Sequence, residues 1–160
     1  MTYYSDSPVI FRDESFVTAT LDGKTPELGA VMQKGGREYV WVYNAANSDI
    51  NPGIGCVLMS DSSNYSVSPT AVTSADIVVG VVRNATLTTG TYGWAVRRGV
   101  TNVEMNATSG TVAAHGLIEI AADGDFSPVS NTTGNLAPAI GKALTAIVSS
   151  ASGEAYISCM

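Results

Sequence analysis

A single histidine, His115, stands in the run Ala113-Ala114-His115-Gly116, so any mechanism that needs an imidazole from this chain must pass through it. Zinc sites with two histidines are excluded, and a Ser-His-carboxylate arrangement would hang on that one residue. The many serines include no Gly-x-Ser-x-Gly elbow, and neither Cys56 nor Cys159 has a histidine near it in sequence. His115 therefore reads as a turn histidine beside a strand. The two cysteines are far apart, form no Cys-x-x-Cys pair and lie in apolar stretches, which makes them buried thiols.

The acidic residues are no more suggestive. Asp123-Gly124-Asp125 offers two carboxylates, but a calcium loop needs further oxygen ligands at fixed offsets and a closing bidentate glutamate. A solvated hairpin turn is the simpler reading. Glu14, Glu104 and Glu119 are isolated in the sequence, and no run of carboxylates and aromatics suggests a glycosidase cleft. Gly53-Ile54-Gly55 lacks the third glycine and the βαβ setting of a dinucleotide site and reads as a turn. No catalytic group, cofactor or metal is expected. Arg97 and Arg98 are adjacent on a predicted strand, which sends them to opposite faces and makes an intersubunit salt bridge by one of them an expectation. Trp41 and Trp94 lie in apolar strands and are expected in the core rather than as sugar-stacking platforms.

Composition narrows the partners. The chain has 160 residues, 45% hydrophobic and 14% charged, with a formal net charge of −6. A domain of this size can bury a core without staples, and the sign of the charge argues against phosphate backbones as ligands. So low a charged fraction leaves apolar surface to meet other subunits. Residues after Met1 show no basic start followed by an apolar run, so the protein is expected to fold in a cytoplasm. No run approaches the roughly 20 apolar residues of a membrane-spanning helix, and no membrane partner is expected.

The elements that must position these residues are β-strands. Residues 1–27 are polar and irregular yet carry Tyr3, Tyr4 and Phe11, which predicts an extended arm that orders on a neighbour. From residue 28 to 160 short β-type runs alternate with turn residues, and no 3.6-residue apolar period persists. Strands are predicted at 30–33, 38–43, 56–60, 78–84, 91–98, 100–105, 117–120, 140–146 and 154–159. Turns are predicted at Lys34-Gly35-Gly36, Asn51-Pro52-Gly53, Thr89-Gly90, Ser109-Gly110, Asp123-Gly124 and Ser152-Gly153. The fold class is all-β, a compact barrel or sandwich. Tyr39 to Tyr43 and Val78 to Val82 are apolar on both faces, so both faces must be covered, by the domain itself or by another subunit. Gly80 marks a close backbone approach or a bend.

Val79-Gly80-Val81-Val82, then Gly90-Thr91-Tyr92-Gly93-Trp94-Ala95-Val96, then Ala113-Ala114-His115-Gly116, Ile140-Gly141-Lys142-Ala143-Leu144 and Gly153-Glu154-Ala155-Tyr156-Ile157 form a series. That series resembles the capsid cement (decoration) proteins of tailed bacteriophages, from about Gly29 to the end of the chain. The resemblance implies a tulip-like β-barrel in which Gly80, Gly93, Trp94, Gly116 and Gly141 are fold-motif residues. It also implies a homotrimer, or less often a dimer, on the outer surface of a virion, bridging neighbouring major capsid proteins against the pressure of packaged DNA. Tyr3, Tyr4, Phe11, Arg97 and Arg98 are the candidate capsid or intersubunit contacts. The N-terminal region and residues 61–76 depart from the pattern. Three other readings stand beside it: a different virion component such as a head fibre or tail protein; a carbohydrate-binding β module, which requires an exposed Trp41 or Trp94; and an enzyme whose site assembles across subunits, which requires His115 beside a carboxylate in a pocket.

Overall fold

Closely spaced turn residues cut the β-branched runs into short strands. The computed structural model describes residues 13–19, 25–59, 65–69, 77–121, 123–129 and 139–159. Among them are β1 (Val17–Thr18), β2 (Val31–Lys34), β3 (Arg37–Asn44), β4 (Gly55–Leu58), β5 (Ser66–Ser68), β6 (Val78–Val82) and β7 (Tyr92–Glu104), followed by β8 (Leu117–Ile120), β9 (Phe126–Pro128), β10 (Gly141–Ala143) and β11 (Ser152–Ser158), with no helix among the described residues.

All of these strands join one mixed sheet. The pairings β3–β5, β5–β4, β4–β6, β6–β7 and β7–β3 return to their starting strand, so half of the sheet curls upon itself. Closure of this kind leaves few backbone groups unpaired at an edge. The other half runs from β7 through β11, β10 and β8 to β9, and a bridge between Met105 and Phe126 brings β9 back against the end of β7. The result is an all-β, compact, sandwich-like fold with the long strand β7 common to both halves.

Two apolar clusters fill it. Val40, Val42, Ile50, Cys56, Val67, Val79 and Ala95 pack within the curled half. Tyr39, Trp41, Trp94 and Val96 belong to a second cluster that continues through Val103, Ile118, Phe126 and Ile157. Strand β3 thus sends alternate side chains into different cores, which is why its sequence does not alternate. Strand β6 does the same with a bulge: Cys56 pairs with Gly80 but Val57 with Val78, so Val79 is the extra residue. The choice between the domain's own core and a subunit interface is settled for these two strands, since the chain itself buries both faces.

Gly80 is a close approach. A Cβ there would lie 2.8 Å from the Ala95 Cβ and 3.0 Å from the Val96 carbonyl oxygen, both on the neighbouring strand β7. Gly80→Ala is therefore expected to destabilise by about 1–3 kcal/mol, the usual cost of forcing extra volume into a packed interior, as measured by urea unfolding. A cost under about 0.5 kcal/mol would show that β6 and β7 can separate without penalty.

Several predicted boundaries move. The strands predicted on either side of Gly99 are one strand, because Gly99 takes φ 117° and continues the ladder. Its missing side chain also makes room for the β2–β3 hairpin: a Cβ would sit 3.1 Å from the Arg37 Cγ and from the Gly36 carbonyl oxygen. The turn predicted at Ser152-Gly153 falls at Ser149-Ser150, with Ser150 at φ 59°, and Ser152 begins β11. Strand β10 stops at Ala143; Ala143 and Ile147 enter the core while Leu144 is only half-buried. Strands β1, β5 and β9 add to the predicted set.

Candidate functional site

The described part of the N-terminal region lies on the chain's own sheet. Val17 and Thr18 pair with Gly93 and Tyr92, and the Phe16 ring stacks on Trp41 with centroids 6.0 Å apart. Glu14, isolated in the sequence, becomes a junction. Its carboxylate accepts hydrogen bonds from the Tyr39 hydroxyl at 2.6 Å, the Arg83 guanidinium at 2.7 Å and the Asn84 amide at 2.6 Å. Burial acts to raise the Glu14 pKa, but the hydrogen bonds from Tyr39 and Asn84 and the charges of Arg83 and Lys34 outweigh it and hold the carboxyl below its ordinary range. Burial and the bond to Glu14 push the Tyr39 hydroxyl up to about 12. Tyr3, Tyr4 and Phe11, the predicted arm contacts, lie outside the described residues.

Trp41 and Trp94 face each other directly across β3 and β7 and meet edge-on, with centroids 4.9 Å apart and planes at 67°. Trp41 is fully buried and Trp94 is 6% exposed. Neither indole N–H finds an acceptor among the described residues, so each is packed as an apolar body.

The arginine pair departs from the simple alternation expected of it. Glu38 pairs with Arg98 but Tyr39 with Val96, which makes Arg97 the extra residue of a bulge in β7. Both arginines consequently reach the neighbourhood of Glu38. Arg97 forms an ion pair with it at 3.7 Å within this chain. Arg98 lines a cleft together with Glu38, Lys34, Arg37 and Tyr156. Its Nε donates to the Tyr156 hydroxyl at 3.2 Å.

The remaining candidates are dispersed. His115 sits exposed at the tip of a turn with φ 65°, its backbone N–H donating to the Ala143 carbonyl. The left-handed residue of that turn is the histidine, and Gly116 is instead a close approach, where a Cβ would lie 2.8 Å from the Val112 Cγ2. A Cβ added at Gly93 would likewise lie 2.8 Å from Leu87 Cδ1, and one at Gly141 2.7 Å from the Tyr156 carbonyl oxygen. Asp123-Gly124-Asp125 is a tight reversal closed by Ala121 N–H donating to the Asp125 carbonyl at 2.7 Å. Burial, then the charges of Glu104 and Asp123, raise the Asp125 pKa. Among the described residues no three metal-ligating side chains converge. Cys56 is buried and Cys159 half-buried, both free, and burial raises both thiols, Cys159 to about 12.

No family model matches the chain, and no curated protein matches it. Among solved structures it is similar to the N base of the head fibre gp8.5 of bacteriophage phi29, with a TM-score of 0.53 and 13% identity, over 75% of this chain and 94% of that one. At that identity the likeness is one of fold.

Proposed function

We propose that this chain is a non-enzymatic structural protein of a phage virion, seated on the outer surface of the capsid, where it binds neighbouring major capsid proteins. The observation that carries this reading is the fold shared with a phage head-fibre base, which spans nearly all of that base. The cement-like series from Val79 to Ile157 supports it from the sequence side. So does the packing of both tryptophans in the core, since a sugar-stacking module needs one of them outside. The mechanism is adhesion: a homotrimer on a symmetry axis engages several capsid subunits at once, so individually modest contacts combine through high effective concentration.

The same likeness favours a second reading, a base module that anchors a projecting fibre. Both readings place the chain on the head, and cryo-electron microscopy of virions from the encoding phage, with and without the gene, separates them. Three-copy density on the shell, with filled heads of the deletion strain rupturing at lower temperature, is expected for a cement. Projections lost with no change in rupture temperature would establish the fibre base instead. Absence of the chain from purified particles would overturn both.

A further inference from the structure

The chain carries only 8 Lys and Arg against 14 Asp and Glu, yet Lys34, Arg37 and Arg98 line one cleft of about 420 Å³ between the tip of the β2–β3 hairpin and the middle of β7. Glu38 lines the cleft too and its charge acts on Arg98, but it is shared with Arg97 at 3.7 Å, so Lys34, Arg37, Arg97 and Arg98 against this one carboxylate still leave the neighbourhood with an excess of positive charge. Lys34 is also drawn toward Asp13 and Glu14, so the cationic character of the cleft rests mainly on Arg37 and Arg98.

Both guanidinium groups are held in place. Arg37 Nε donates to the Val100 carbonyl and its Nη1 to the Gly35 carbonyl at 3.4 Å. Arg98 is steadied through its Nε by the Tyr156 hydroxyl, while its Nη groups make no hydrogen bond to a described side chain. For Arg98, anchoring at Nε with the terminal nitrogens open is the arrangement that takes a carboxylate in two parallel hydrogen bonds. Tyr156, 40% exposed, adds an aromatic wall. The floor is fixed as well, because Gly99 lies directly beneath Arg37 and Gly36.

We infer that this cleft is a docking site for an acidic segment of a protein partner, whose carboxylates bind Arg98 and Arg37. Nucleic acid fits it poorly: a phosphate backbone extends beyond so short a cleft onto a surface whose net charge is −6. The inference deepens the capsid reading by naming the chemistry of the contact, and it is tested apart from that reading.

A fluorescein-labelled decapeptide of alternating Glu and Asp is titrated into the whole protein while amide resonances are followed by NMR. The expected result is shifts concentrated at Gly35, Gly36, Arg98 and Gly99, with affinity reduced at least about tenfold in Arg98→Glu, as for other reversed charges in a contact. Tryptophan emission unchanged in that variant confirms its fold. Shifts scattered over the surface, equal affinity in Arg98→Glu, or a single-stranded oligonucleotide of equal charge producing the same shifts would each overturn the inference. The Arg98→Glu protein is then offered to capsids. If wild type binds them and the variant binds equally, the cleft is not the contact and the capsid reading survives. If wild type does not bind capsids, that reading falls and the peptide result still decides the cleft.

Discussion

Trp41→Ala is expected to destabilise the fold by about 3–5 kcal/mol, the range for deleting a buried large aromatic. For a chain of this length that corresponds to a fall in melting temperature on the order of 10 °C. The reason lies in where Trp41 stands. It is fully buried, meets Trp94 edge-on across β3 and β7, and stacks with the Phe16 ring. Its loss would leave a cavity at the junction of the N-terminal segment, β3 and the strand β7 that both halves of the sheet share. Neighbours on paired strands cannot collapse into such a space without breaking ladder hydrogen bonds. Trp41→Phe, which retains a ring for both contacts, is expected to recover more than half of the loss. Equilibrium urea unfolding measures both. A cost below about 1.5 kcal/mol for the alanine variant would mean that the aromatic cluster is loosely packed and does not organise the core.

This cluster shows what is readable from sequence and what is not. That Tyr39 to Tyr43 and Val78 to Val82 are covered on both faces follows from their failure to alternate, and the structure covers both with two cores of the same chain. Turn chemistry places the β2–β3 hairpin, where Gly35 and Gly36 both have positive φ. Gly99 misleads, because a glycine inside a β run signals a break or a close approach with equal force, and only the hairpin lying above it shows which. Strand β5 is invisible for another reason. Its Ser-Val-Ser sequence has one apolar residue, and what makes it a strand is pairing with β3 and β4 around the buried Val67.

The cationic cleft was legible in part. Arg97-Arg98 stands out in a chain so poor in cations, but strict alternation separates the two arginines. The bulge that restores them to one neighbourhood depends on the register between β3 and β7, which no local pattern encodes. Arg37 and Lys34 join Arg98 across 61 and 64 positions of sequence, a juxtaposition that belongs to topology alone. The likeness to a head-fibre base is one of fold, and the contact chemistry proposed for the cleft rests on these side chains alone.

Glu14 illustrates the same limit at higher energetic stake. Nothing in the sequence connects it with Tyr39, Arg83 and Asn84, yet three donors converge on its carboxylate. Glu14→Ala is expected to cost about 2–3 kcal/mol, because it strands the hydroxyl of a buried tyrosine and leaves Arg83 without its counter-charge. Glu14→Gln keeps an acceptor for Tyr39 while losing the charge, and about half of that cost is expected. The pH dependence has a defined sign at each end. Glu14 has a folded pKa below its ordinary value of 4.5, so its contribution is complete above that value and fades as pH falls through the folded one. Tyr39 has a folded pKa raised from 10.0 to about 12, so its contribution is complete below pH 10 and is lost as pH rises toward 12. The stability difference between wild type and Glu14→Ala, measured by urea unfolding, should therefore be largest between pH 6 and 9 and shrink on both sides. Hydrogen exchange at Val17 and Thr18 should accelerate in the variant, since Glu14 fastens the segment that pairs with β7. A difference that stays flat from pH 3 to pH 11 would show that Glu14 acts by packing alone and that the three hydrogen bonds contribute little to the folded state.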